Sequence, residues 1–189
     1  MTDLTTKGLK KTALAIVTSL ACVAPASFAA DVPAGVALAE NQDLVRGIGS
    51  EVPTLDPTKT SDTSSSTAIS DMFDGLVTED LKGNVIPALA TEWSESDDGL
   101  VYTFTLRDAK WSNGKPITAQ DFVYSMRRLV DPATGSSYSW YLETAGIKNA
   151  AQITAGKAKP ETLAVKAIDD KTLAITLENP RPYFLKTLT

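Results

Sequence analysis

Lys7, Lys10 and Lys11 stand before an uncharged apolar stretch, Thr12 to Ala24, which runs into Pro25-Ala26-Ser27-Phe28-Ala29-Ala30. A basic start, an apolar middle and small residues at Ser27 and Ala29 form the pattern of a secretory signal peptide over residues 1–29, cut between Ala29 and Ala30. The apolar run is shorter than the ~20 residues a bilayer-spanning helix requires, so a membrane anchor fits less well. Lipoprotein anchoring through Cys22 is a minor alternative: Ser19-Leu20-Ala21-Cys22 places Leu one step too close to the Cys. This segment constrains the fold because it takes the sole cysteine with it. From Ala30 on, 160 residues carry 15 basic and 22 acidic groups (18 less 3, 23 less 1), a net charge of -7 and no thiol. Without a disulfide, such a chain must be held by its core, and it suits an oxidising compartment because nothing can mispair.

The absence of His removes the commonest general base and neutral metal ligand, so Ser-His-Asp triads and His-based metal sites are excluded from these residues. The acidic balance offers no footprint for nucleic acid or an anionic membrane, which require clustered Lys and Arg. With 43% hydrophobic and 22% charged residues the chain can bury a core, and length alone suggests one domain.

Ala30–Asp43 reads as an extended leader and Leu44–Gly49 as a short apolar strand. Nine of the fourteen residues from Thr54 to Thr67 are Ser or Thr, a loop by composition. It leads into a helix whose Ile69, Met72, Phe73 and Leu76 recur at helical spacing, with Gly75 closing it and the Ser/Thr cluster supplying its cap. Val77–Pro87 reads as a hairpin turning at Leu81–Asn84, and Leu89–Trp93 is apolar again. Val101–Arg107 alternates β-branched and aromatic residues, the clearest strand in the chain. An Asn113-Gly114 turn follows, then Thr118-Ala119-Gln120-Asp121 with capping-box spacing. Phe122, Val123, Met126, Leu129 and Val130 share one face of the helix behind it, which Asp131-Pro132 ends. Gly135–Ile147 reads as a loop with Tyr138, Trp140 and Tyr141, and Thr162–Ile168 pairs with Thr172–Leu177 as an antiparallel hairpin. Thr189 falls inside a new apolar segment, which reads as a chain cut short. The fold class is mixed α and β with antiparallel pairing.

Catalytic motifs are missing: there is no nucleophile elbow, phosphate-binding loop, dinucleotide fingerprint or calcium loop. The carboxylate pairs Asp97-Asp98 and Asp169-Asp170 lie in turns, where Asp serves the backbone. A secreted hydrolase with two carboxylates meeting across a cleft is the rival enzyme reading, and an envelope structural protein the rival without binding. No cofactor is implied. Trp93 and Trp111, flanking the main strand, read as core, whereas Tyr138, in a Ser/Gly loop, suits contact with a ligand.

Ser50–Pro57, Phe73-Asp74-Gly75-Leu76, Ala88–Trp93, Tyr102–Gly114 and Ala119–Ser125, together with Ala30–Gly35, resemble the periplasmic oligopeptide-binding proteins of ATP-driven peptide importers. The Thr103–Gly114 block is similar to the signature of the wider family of dipeptide, oligopeptide and nickel solute-binding proteins, family 5. The resemblance implies a non-enzymatic, monomeric, periplasmic protein with a two-lobed, type II-like binding-protein fold. It implies the start of lobe one at residues 30–73 and an incomplete accessory domain at 74–189, the rest being absent. The partners implied are an oligopeptide, held by its backbone, and the inner-membrane subunits of an ABC permease; murein peptide, dipeptide or nickel chelate are the family's other ligands. Ligand contacts carry over to Tyr138, Ser61 and Thr63. Ser61 departs from the pattern, since the peptide binders carry Glu there, and a cationic ligand group loses that partner.

Overall fold

The computed structural model describes residues 34–189. The signal peptide, the cut between Ala29 and Ala30, and Cys22 lie outside the described residues. The chain divides after Val45 into two units. In the first, residues 36–45 form no helix or strand, and Gln42 Nε2 donates to Ala39 O at 2.5 Å.

The second unit, Arg46–Thr189, is built on a four-stranded antiparallel sheet. Its strands are β3 (Ala90–Glu95), β4 (Val101–Leu106), β5 (Val165–Ala167) and β6 (Thr172–Thr176), in the order β3-β4-β6-β5. β4 pairs with β6 in the register Tyr102↔Ile175 and Phe104↔Leu173. The period-two pattern does what it predicts: Tyr102, Phe104 and Leu106 are buried, as are Leu173 and Ile175, while the residues between them are half-exposed. Burying each such side chain contributes about 1.5–3 kcal/mol. A two-stranded ribbon of β1 (Val77–Glu79) and β2 (Val85–Pro87) forms the expected hairpin. Its turn is set by Asp80, whose carboxylate accepts from Lys82 N and Asn84 N at 2.8 and 2.9 Å.

Four helices join the sheet: α1 (Thr63–Ser70), α2 (Ala119–Val130), α3 (Tyr141–Thr144) and α4 (Ala150–Thr154). α2 packs on β5 and β6 through Val123 and Val130. It starts where the capping box predicts: Asp121 Oδ2 accepts from Thr118 N at 2.8 Å and from Thr118 Oγ1 at 3.1 Å. Phe184, in a terminal 3-10 turn (Phe184–Leu188), is fully buried with its ring 4.7 Å from that of Tyr102.

Four expectations change. Leu44–Gly49 forms no strand, because none of the described residues gives it a ladder partner. The helix expected from Ala68 begins at Thr63, inside the Ser/Thr run, and stops at Ser70, so Met72 and Phe73 lie beyond it and are exposed. Asp62 caps it by accepting from Ser65 N at 2.8 Å, and Ser66 and Thr67 turn their hydroxyls onto the carbonyls of Asp62 and Thr63. The Gly135–Ile147 segment is not all loop, since it contains α3, and α4 follows it. Trp93 packs against the core as expected, but Trp111 is 38% exposed, lying outside the strands where its carbonyl and amide bond to Gly114 and Lys115 across the turn.

Candidate functional site

Three features offer a binding surface. The first is the Ser/Thr segment at α1. Most of its hydroxyls are spent internally: Ser64 and Ser65 are buried, Ser64 Oγ lies 2.6 Å from Ser50 Oγ, and Ser65 Oγ accepts from Thr54 N at 3.4 Å. Ser61 and Thr63 differ. Both are exposed on either side of the cap residue Asp62, and neither hydroxyl has a partner among the described residues. Each can donate to or accept from a ligand's main chain.

The second feature is the row of Tyr138, Trp140 and Tyr141, which are 45%, 48% and 37% exposed. Tyr138 N donates to Ser136 Oγ at 3.1 Å and Trp140 Nε1 to Ser137 O at 3.1 Å, which fixes the loop backbone under the rings. The Tyr138 and Trp140 centroids are 6.0 Å apart and tilted, and those of Trp140 and Tyr141 are 5.9 Å apart, edge to face. Tyr141 OH donates to Thr187 O at 2.9 Å, so Tyr141 is tied down while Tyr138 presents a free edge. No hydrogen bond, ring contact or shared cavity joins Tyr138 to Ser61 or Thr63 in these residues.

The third feature is a pair of adjoining hollows that no local motif announced. One, of 470 Å³, lies between Pro57, Phe73, Trp111, Phe122 and Tyr124; the other, of 630 Å³, between Leu55, Met72, Phe73, Ala109 and Trp111. They share Phe73, Asp74, Leu89, Trp111 and Ile117, so together they form one apolar groove. Phe73 and Trp111 meet edge to face across its middle, centroids 6.4 Å apart. Arg128, which lines the smaller hollow, forms an ion pair with a chain-distant residue. Arg128 Nη1 and Nη2, on α2, donate to Asp56 Oδ1 and Oδ2 at 2.7 and 2.6 Å, a bidentate fork that leaves both side chains under a third exposed. The Arg128 hydrogen bonds, aided by the Thr58 amide against the cost of burial, lower the Asp56 carboxyl to about 2. Arg128 is correspondingly pushed up by the same bond.

Asp98 accepts from Ser96 Oγ and Leu100 N, Asp169 accepts from Lys171 N, and these bonds lower both carboxyls. Their role is turn formation, as their position in sequence suggested. Among the described residues no group of His, Cys, Asp and Glu is placed to hold a metal ion.

Comparison with known proteins places the chain. The family described as bacterial extracellular solute-binding proteins, family 5 Middle, matches residues 84–189. The periplasmic murein peptide-binding protein MppA of Escherichia coli (strain K12) is 51% identical over 160 residues, 84% of this chain and 30% of that protein. The periplasmic oligopeptide-binding protein OppA of Salmonella typhimurium is 49% identical over 189 residues, all of this chain and 34% of that protein. The crystal structure of Haemophilus influenzae OppA in complex with the peptide RPPGFSPFR superposes with a TM-score of 0.75 at 42% identity, over 80% of this chain and 31% of that one. The chain thus spans about a third of the length of these relatives.

Proposed function

Because this chain belongs to the bacterial extracellular solute-binding proteins of family 5, we propose that the whole protein captures oligopeptides in the periplasm and delivers them to an inner-membrane ABC permease. The observation that carries this is the 49% identity to a periplasmic oligopeptide-binding protein along all 189 residues. The binding is non-enzymatic and the protein a monomer, exported by a signal peptide cut between Ala29 and Ala30. Residues 30–73 begin lobe one, and 74–189 belong to the accessory domain.

Peptide is held chiefly through its main chain, which every sequence shares, so affinity tolerates varied side chains. The exposed hydroxyls of Ser61 and Thr63 meet backbone groups, and the free edge of Tyr138 packs against the ligand. Murein peptide is the second reading, supported by the 51% identity to a murein peptide-binding protein. Calorimetry on the whole protein with trialanine and with murein tripeptide separates the two, because the tighter ligand names the class. Binding of neither, or turnover of either, would sink the proposal.

A further inference from the structure

Ser61 and Thr63 can meet a peptide main chain only if the turn before them is held still, because their own hydroxyls make no bond that fixes them. Asp56 gives that turn its shape. Its carbonyl accepts from Lys59 N and Thr60 N, both at 3.1 Å, its Oδ1 accepts from Thr58 N at 3.0 Å, and its amide donates to Thr54 Oγ1 at 3.0 Å. Thr54 N donates in turn to Ser65 Oγ at 3.4 Å, in the first turn of α1, the helix that Asp62 caps. All of these bonds run within one stretch of chain, so they do not say where the turn sits on the rest of the molecule. The fork from Arg128 does. Among the described residues it is the only hydrogen bond or ion pair that joins residues 54–63 to α2 or to the sheet. We propose that Arg128 is a positioning residue of the peptide site: by gripping Asp56 through both terminal nitrogens it sets where the turn presents Ser61 and Thr63, and so governs affinity without touching the ligand.

This rests on the reading of Ser61 and Thr63 as ligand contacts and names what orients them. The planar guanidinium, with two parallel N–H···O bonds, fixes the direction of the carboxylate as well as its distance, whereas an ammonium would pair with it as a point charge from many angles. Arg128 is itself firmly rooted, since Val123 and Val130 of the same helix are buried where α2 packs on β5 and β6. The fork therefore carries the rigidity of the helix and sheet to a turn that has only local bonds of its own. A contact surface ordered before the ligand arrives spares binding the cost of ordering it.

The test is calorimetry on the whole protein with trialanine and with murein tripeptide. Arg128→Lys keeps the charge and loses the fork; it should weaken the tighter ligand about tenfold, the order expected when one residue's backbone is left to be fixed on binding. In a Ser61→Ala, Thr63→Val background, which itself binds more weakly, the same change should move Kd by less than about twofold, because the contacts through which Arg128 acts are gone. A residue that only supported the fold would lower affinity by the same factor in both backgrounds. Asp80→Ala, which removes the carboxylate that sets the β1–β2 turn, reports on lost stability alone and should leave Kd unchanged. Asp56→Asn breaks the fork from its other side and should repeat the Arg128→Lys result, which covers a failure of either variant to fold. Unchanged affinity in these fork variants, an equal loss in both backgrounds, or the same loss in Asp80→Ala would each overturn the inference. A Ser61→Ala, Thr63→Val protein that binds as tightly as the parent would overturn it by removing the contacts it rests on. A parent that binds neither tripeptide would sink the proposed function and this inference together.

Discussion

Replacing Asp56 by Asn removes the charge that Arg128 grips while keeping the side chain's shape. The lowering of the Asp56 carboxyl from 3.8 to about 2 says how much the folded chain favours its ionised form. At ~1.4 kcal/mol for each pKa unit, that preference amounts to ~2 kcal/mol of stability at neutral pH. The sign follows from which state holds the proton more tightly. Between pH 4 and 2 the unfolded chain binds it more readily than the folded one, so the contribution is complete above pH 4 and disappears as pH falls toward 2. Urea unfolding of the parent and of Asp56→Asn, measured from pH 7 down to pH 2, should show a difference of ~2 kcal/mol at neutral pH that closes by about pH 2. Subtracting the two curves cancels the other carboxylates that titrate in this range. Arg128→Met should abolish the same pH-dependent part. A difference that stays constant from pH 7 to pH 2, or one absent at pH 7, would show that the fork between the Thr54–Thr67 segment and α2 does not stabilise the fold through its charge.

Gly146 adopts φ +81°, and a Cβ there would run into Arg181 Nε, so Gly146→Ala must displace the guanidinium that donates to Tyr183 OH. Gly156, at φ +70° with open space around it, serves as control: Gly156→Ala should cost ~1 kcal/mol and Gly146→Ala more than that, read from urea midpoints. Asp121→Ala strips the capping box at the start of α2 and should lower stability by ~1 kcal/mol, with faster amide exchange confined to the first turn of α2. For ligand binding, the 189-residue chain alone should bind trialanine weakly or not at all, and calorimetry giving a sub-micromolar Kd would contradict it. In the whole protein, Tyr138→Ala should reduce peptide affinity without changing the melting temperature.

What could be read in the sequence was what depends on neighbours in the chain. The strand expected at Val101–Arg107, the hairpin of Thr162–Ile168 with Thr172–Leu177, the box at Thr118 and Asp121, and the turn at Leu81–Asn84 are all local; each element forms, the strands somewhat shorter, at Val101–Leu106, Val165–Ala167 and Thr172–Thr176. The Ser/Thr run misled because Ser and Thr are poor helix formers taken singly, whereas Asp62 at the cap and hydroxyls folded back on the preceding turn make a helix of them. α3 and α4, with four and five residues, are too short to show a period. Leu44–Gly49 has a strand's composition, but a strand exists only with a partner to bond. At the candidate site the limit is distance along the chain. Asp56 and Arg128 are 72 positions apart and no spacing rule links them. The general habit of tryptophan makes Trp111 a core residue, and only the fold shows it half-exposed in the middle of a groove.

The order β3-β4-β6-β5 also dictates a sequence of events during folding. β3 and β4 are joined by a short turn and can pair as soon as both exist, but the other edge of β4 bonds to residues roughly seventy positions later, Val101 to Thr176 and Thr105 to Thr172. Until β6 arrives, β4 is an open edge whose buried face carries Tyr102, Phe104 and Leu106, a template for pairing with other chains. A ribosome releasing this protein residue by residue therefore exposes that edge until Thr176 has emerged. Chains interrupted before β6 should aggregate through β4, and a chaperone that shields the nascent chain has its strongest reason to hold the segment from Val101 to Leu106.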